Sequence, residues 1–330
     1  MTGGRDRNVM RPAAELEDRI AGGLLGAVVG DALGLPVEGA LRDWLDANPV
    51  RGMRSGGPHG QPAGSWSDDG SLLLALAESL CDGYNLERVA TAFLAWWQRG
   101  EWTPYGRVFG YGATTAAAMY RLAASVPATQ AGLAGEGHSG NGALMRTLPL
   151  ALWFRSDTRR MLDAAHEVSG LTHAHPRSQV CCGVYCLVAA GLLEGLGRLE
   201  AVQRAVTRAR SEYCGSAQES ELRHLEAVLS LRVLALPREQ VRSGAYVVET
   251  LEACLWSLVR GESFRDTVLA AVNLGGDSDT VGCLTGGLAG VHFGAEAIPE
   301  EWLRPLARGA DVAGLCARFC RAACRAADRA

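Results

Sequence analysis

Lysine is missing altogether: the 32 basic side chains among the 330 residues are all arginine. Chemistries that need an ammonium group are therefore excluded, among them a Schiff-base lysine, the phosphate-loop lysine and the kinase-type lysine. Any Cys-x-x-Cys pair is missing as well, although there are ten cysteines. Cys181, Cys182, Cys186, Cys254 and Cys283 lie in apolar helical stretches. Cys316, Cys320 and Cys324 recur every fourth residue, the spacing of one helix face rather than of a zinc site. These thiols read as core residues of a protein in a reducing cytoplasm, not as a disulfide framework. The apolar run Ala21 to Pro36 contains Asp31 and falls short of the roughly 20 residues a membrane span requires. A net charge of −4 gives no general attraction to nucleic acid or anionic lipid, so neither is expected as a stable partner.

No stretch alternates as a strand, no repeat period emerges and no Pro- or Ser-rich linker divides the chain. Helical spacing dominates instead, in Leu72-Leu73-Leu76-Leu80, Val89-Phe93-Trp96, Leu144-Leu148-Leu152 and Leu222-Leu225-Leu229. Asn85, Asp157 and Ser263 are N-cap types that open helices over 86–98, 158–169 and up to Asn273. The fold class is all-α: one compact domain over 15–330, an orthogonal bundle of about a dozen helices, with a loose tail over 1–14. Within it, Ala124 to Gly140 reads as a Gly-rich mobile loop. Glycines 22, 26, 30 and 34 fall on one face of the first helix, where they lower helix propensity but let another backbone come close, so that helix belongs at the centre.

Two acidic clusters carry the chemistry. Ser67-Asp68-Asp69 stands at a helix entrance, where Ser67 is a natural N-cap and acids suit the helix dipole. Asp277 and Asp279 lie in Gly275-Gly276-Asp277-Ser278-Asp279-Thr280, next to a long apolar segment in which lone carboxylates would be costly to bury. If the clusters meet, four carboxylates with the hydroxyls of Ser67 and Thr280 make an all-oxygen site suited to two hard divalent ions, Mg²⁺ or Mn²⁺. No His or Cys adjoins these motifs, which disfavours zinc, and a 12-residue calcium loop with its terminal Glu is absent.

Five segments in order, Gly30-Asp31-Ala32-Leu33-Gly34 with Glu38, Ser67-Asp68-Asp69, Gly140-Asn141-Gly142-Ala143-Leu144-Met145-Arg146, Thr172-His173 and Gly275 to Thr280, resemble the ADP-ribosylglycohydrolase family. The resemblance spans about Ile20 to Gly294. It implies a metal-dependent hydrolase that cleaves the bond between the distal ribose C1 of ADP-ribose and an acceptor, releasing ADP-ribose. Its partners would be ADP-ribosylated protein, nucleobase or small molecule. It further implies two divalent cations held by Ser67, Asp68, Asp69, Asp277, Asp279 and Thr280, with Glu38, Asp69 and Asp277 as catalytic residues. Glu38 lies beyond the helix-breaking Pro36 and would orient substrate or water. Asp31 reads as a hydrogen-bonded structural acid.

Ser139, Gly140, Asn141 and Gly142 open an apolar helix through Leu152, so that their N–H groups can take a pyrophosphate without lysine. His173, at the entrance of a helix over 177–196, would contact phosphate or ribose by the same resemblance. Two departures from the family pattern stand out. Gly70 replaces a Thr or Ser common in relatives. Members that cleave ADP-ribosyl-arginine commonly carry Asp-Ile-Gly-Asn where this chain reads Gly110-Tyr111-Gly112-Ala113, so the acid that would face a guanidinium is missing, and Tyr111 offers a ring to the ligand instead. The acceptor linkage stays open, as do two other readings: a catalytically silent ADP-ribose-binding or structural homologue, and a two-metal phosphohydrolase.

Overall fold

The structure, a computed structural model, describes residues 13–327. Residues 1–12 of the expected tail lie outside the described residues, and the last two residues of that tail already belong to the first helix, Ala13–Gly34. Among the described residues there are sixteen α-helices, short 3₁₀ turns and no β-strand beyond isolated bridges. The all-α expectation is met.

Local signals act as expected where a cap decides. Asn85 accepts the Arg88 N–H, Asp157 the Arg160 N–H and Ser263 the Asp266 N–H, each at 3.0 to 3.1 Å, opening Leu86–Arg99, Thr158–Gly170 and Phe264–Val272. Three expectations fail. The Leu144–Leu152 periodicity is split into a 3₁₀ turn, Leu144–Arg146, and a short helix, Leu148–Trp153. Pro149 is the reason, since inside a continuous helix its ring would strike the carbonyl four residues back. The Leu222–Leu229 pattern is a 3₁₀ turn followed by one α-turn, Glu226–Leu229. Ala124 to Gly140 is no open loop, for it holds the helix Ala128–Ala131 and the turn Glu136–His138, and Leu133 N–H donates to the Thr172 carbonyl.

The centre is made by the first helix and Ser278–Phe293, which form the most extensive helix–helix contact. They run antiparallel with Gly22 against Gly290, Gly26 against Gly286, Gly30 against Gly282 and Gly34 against Ser278. A Cβ on any of these glycines would lie under 3.0 Å from the backbone it faces, so the two main chains touch directly. One end of this pair carries Asp31 in the first helix and Glu38 just beyond it, together with Asp277 and Asp279 at the start of Ser278–Phe293. Around it, Pro176–Leu193 is apolar on every side and buried throughout its middle, as are Leu72, Leu76 and Leu80 of the helix Asp68–Leu80. Both long apolar helices are enclosed by protein.

This packing predicts a sharp contrast between two identical substitutions. Gly30→Ala should cost about 3 kcal/mol or more, because backbone cannot yield as a flexible side chain does. Gly137→Ala, whose Cβ meets nothing within 4 Å, should stay within about 1 kcal/mol of wild type. Urea unfolding of both variants checks it.

Candidate active site

Asp31 organises the site from behind. It is 0% exposed, and its carboxylate accepts the Ser67 N–H at 3.0 Å, the Gly70 N–H at 2.8 Å and the Ser67 hydroxyl at 3.1 Å. These bonds pin the entrance of the helix Asp68–Leu80 to the first helix. Ser67 then caps that helix, accepting the Asp69 N–H at 3.1 Å, with its hydroxyl 2.8 Å from Asp69 Oδ2. Its Oγ is thus spent on carboxylates and capping, and Ser67 is not on the cavity wall, although it was expected among the metal ligands. Gly70 has a physical reason too: a Cβ there would sit 3.0 Å from the Trp66 ring and 3.1 Å from Asp31 Oδ2.

In front lies a cavity of about 530 Å³, within the range of small-ligand sites. Glu38, Asp68, Asp69, Asp277, Asp279 and Thr280 all line it, so the two acidic clusters do meet. Oxygens of Glu38, Asp277 and Asp279 lie within 4.8 Å of one another. Asp69 Oδ1 is buried without a hydrogen-bond partner. Burial, followed by the neighbouring carboxylates, raises Asp68 and Asp279 well above the usual range, and burial followed by Asp277 raises Asp69 to about 7. Among the described residues the one basic side chain bonded to the cluster is His59, whose Nε2 lies 2.6 Å from Glu38 Oε2. Hard oxygen donors, one of them orphaned, in a cluster that repels itself are what a divalent cation would satisfy.

The polar wall opposite differs from expectation. Gly140, Asn141 and Gly142 line the cavity, but no helix starts there; Ser139 sits behind, its hydroxyl bonded to the Glu136 carbonyl. Asn141 spends both amide protons on side chains, on Asp277 Oδ2 at 2.6 Å and Thr250 Oγ1 at 3.0 Å, so it steers an acid. Its N–H goes to the Ala245 carbonyl, whereas those of Gly140 and Gly142 have no backbone acceptor among the described residues. His173 lines the same wall. Burial, then Arg146, holds its imidazole down at about 3, so it is neutral. Tyr111 is not on the wall: it is 39% exposed and packs edge-on against Trp97 at 4.9 Å. Its neighbour Gly110 does line the cavity, at φ +84° with an added Cβ 2.9 Å from Asp68 Oδ1, so an Asp there would strain the backbone and press on Asp68.

Sequence reasoning missed two residues. His59 reaches Glu38 from a Gly-rich turn 21 residues away, held against Phe109 at 5.4 Å, and nothing in its local sequence marks it. Arg146 is fully buried, with its guanidinium 4.7 Å over Phe93 and bonded to the carbonyls of Gly142 and Val168. Its signal was an arginine inside an otherwise apolar run.

A family model described as ADP-ribosylglycohydrolase matches residues 12–329. The chain is 31% identical over 312 residues to ADP-ribosylarginine hydrolase Tri1 of Serratia proteamaculans, covering 92% of this chain and 79% of that one. It is 29% identical over 295 residues to ADP-ribosyl-(dinitrogen reductase) glycohydrolase of Rhodospirillum rubrum, covering 88% and 91%. ADP-ribosylhydrolase ARH3 of Danio rerio matches at 24% over 324 residues, covering 86% and 85%. A solved structure of an ADP-ribosylglycohydrolase-related protein complex superposes with a TM-score of 0.79 at 32% identity, covering 94% of this chain and 99% of the other.

The raised Asp69 carboxyl has a stability consequence. A carboxyl with an unfolded value of about 3.9 that titrates near 7 when folded binds more protons folded than unfolded. It costs nothing below pH about 4, and the cost grows up to pH about 7. In EDTA, the melting temperature of Asp69→Asn relative to wild type should therefore rise as pH goes from about 4 to about 7, and level off above. A flat difference across that window would contradict the assignment.

Proposed function

The chain belongs to the ADP-ribosylglycohydrolase family and is an enzyme that hydrolyses ADP-ribosyl glycosidic bonds, and on that premise we propose that it uses divalent cations, Mg²⁺ or Mn²⁺, to release ADP-ribose from arginine-linked ADP-ribosylated protein. The observation that carries the metal dependence is the gathering of the Glu38, Asp277 and Asp279 oxygens beside the orphaned Asp69 Oδ1. Asp68, Asp69, Asp277, Asp279 and Thr280 are the residues that would hold two cations, with Ser67 bracing them from behind. When bound, such ions supply charge neutralisation and Lewis acidity toward ribose hydroxyls and water.

This chain's own groups do the rest. Glu38, gripped at Oε2 by His59, keeps its other oxygen to orient the attacking water and to exchange a proton with the leaving group. The carboxylates around the cavity favour the positive charge that develops on the ribose as the glycosidic bond breaks. Asp277 is held in register by Asn141, which Thr250 supports in turn. The free amides of Gly140 and Gly142 and the ring of His173 are suited to the pyrophosphate oxygens, an anion site that uses no lysine.

The missing acid at 110 speaks against arginine, while two relatives named ADP-ribosylarginine hydrolase, 31% and 30% identical, speak for it. Glu38 remains on the cavity wall as a carboxylate that a guanidinium can face.

The test is ADP-ribose release from arginine-, serine- and nucleobase-linked substrates, with Mg²⁺ or with EDTA. Release from the arginine linkage should need Mg²⁺ and stop in EDTA. Asn141→Ala, which removes a partner of a metal-site acid, should lower it by about 10–100-fold, and Asp277→Ala by more. Phosphate or AMP as product would indicate phosphoester cleavage. Release from the serine linkage alone would overturn the acceptor, and no release from any substrate would leave a binding protein.

A further inference from the structure

Behind the His173 ring lies a chain of two buried polar groups that the reaction scheme has not used. The first is Arg146, whose Nη2–H donates to Thr172 Oγ1 at 2.7 Å. The second is Thr172 itself, 0% exposed, with its Oγ 2.8 Å from His173 Nδ1. A guanidinium has donors only, so Thr172 Oγ1 is the acceptor in the first bond and keeps its one proton to give away. Among the described residues the hydroxyl has no other hydrogen-bond partner, and a buried hydroxyl proton left without an acceptor is costly. The proton therefore goes to Nδ1, which must be the unprotonated nitrogen of a neutral ring.

The other nitrogen is then determined. Nε2 carries the hydrogen, and the Nε2 edge of the ring faces the Gly140–Gly142 wall: a Cβ on Gly142 would be 3.3 Å from Nε2 and 2.8 Å from Cε1, and one on Gly140 would be 3.6 Å from Nε2. No protein acceptor for Nε2 is present among the described residues, so the N–H is left for a ligand.

We propose that Arg146 and Thr172 are positioning residues that lock His173 in the Nε2–H tautomer, so that the ring presents a fixed neutral hydrogen-bond donor to an anionic oxygen of ADP-ribose beside the Gly142 amide. The ligand half of this rests on the reading of the cavity given under Proposed function; the tautomer half rests on the hydrogen-bond network alone. The backbone of His173 is held as well, with its N–H on the Ser169 carbonyl and its carbonyl accepting the Ser169 hydroxyl at 2.9 Å, so the ring has little freedom to turn away. Arg146 also grips the Gly142 carbonyl at 2.7 Å, and one buried cation thereby orients both the loop and the ring.

Two measurements on the full chain test it. Nitrogen-15 NMR of the imidazole, between pH 6 and 8 without ligand, should show Nε2 protonated and Nδ1 with the shift of a hydrogen-bonded acceptor. In Thr172→Val, Nδ1 should lose that shift and the Kd for ADP-ribose in Mg²⁺ buffer should rise about tenfold; Thr172→Ser, which keeps the hydroxyl, should restore both. A wild-type ring protonated at Nδ1, or doubly protonated, overturns the lock. A Thr172→Val protein that binds ADP-ribose as wild type does overturns its role in binding. A wild-type protein with the Nε2–H ring that binds no ADP-ribose overturns the reading of the cavity, and the intact NMR signature distinguishes that failure from a failure of the lock.

Discussion

The direct contact of two main chains is the constraint from which the rest of this structure follows. The first helix and the helix Ser278–Phe293 approach so closely that no side chain fits between them at four successive positions. Side-chain packing of ordinary helices leaves a separation of about 8–10 Å that small relative slides can alter. Here three glycine-on-glycine contacts and that of Gly34 on Ser278 recur every fourth residue, and a slide of one residue would drive side chains into backbone. The register is fixed, and with it the relation between acids more than 230 residues apart in sequence.

That rigidity matters because the site it builds is electrostatically unfavourable by itself. Asp68, Asp69 and Asp279 are buried near one another, and burial and mutual repulsion raise all three. In a looser frame such acids would move apart or into water. Asp31 ties the Ser67–Asp69 cluster to the frame with two backbone amides and a hydroxyl, although it is itself raised by its burial and by Asp69. The result is a set of oxygens whose geometry is held by folding against their mutual repulsion. The opposite wall is built differently, with neutral donors in front and a fully buried guanidinium, that of Arg146, kept behind them. Negative and neutral walls on either side of one cavity suit a ligand with a sugar at one end and phosphates at the other.

Much of this was legible along the chain. The glycine spacing announced a buried first helix, the caps at Asn85, Asp157 and Ser263 set three helix starts, and the acid pairs announced an oxygen-rich site, because each is a local pattern with a local physical cause. What was read wrongly had a competing local cause. Pro149 outweighed the leucine period, and the 222–229 pattern closed into 3₁₀ and single-turn pieces. Tyr111, which the sequence offers as a ligand-facing ring, packs edge-on against Trp96 and Trp97 instead, and Gly110 faces the cavity.

By itself, then, the sequence determined the all-helical class, the central place of the first helix and the oxygen chemistry of the acids, since periodicity, capping and side-chain functional groups are properties of short segments. Long-range packing set which partner meets the glycine face, that Asn141 serves Asp277 rather than opening a helix, that His59 grips Glu38, and which nitrogen of His173 carries the proton. Each of those depends on distances between residues from 21 to more than 200 positions apart, or on where a buried hydroxyl can send its one hydrogen, and no local pattern encodes such distances.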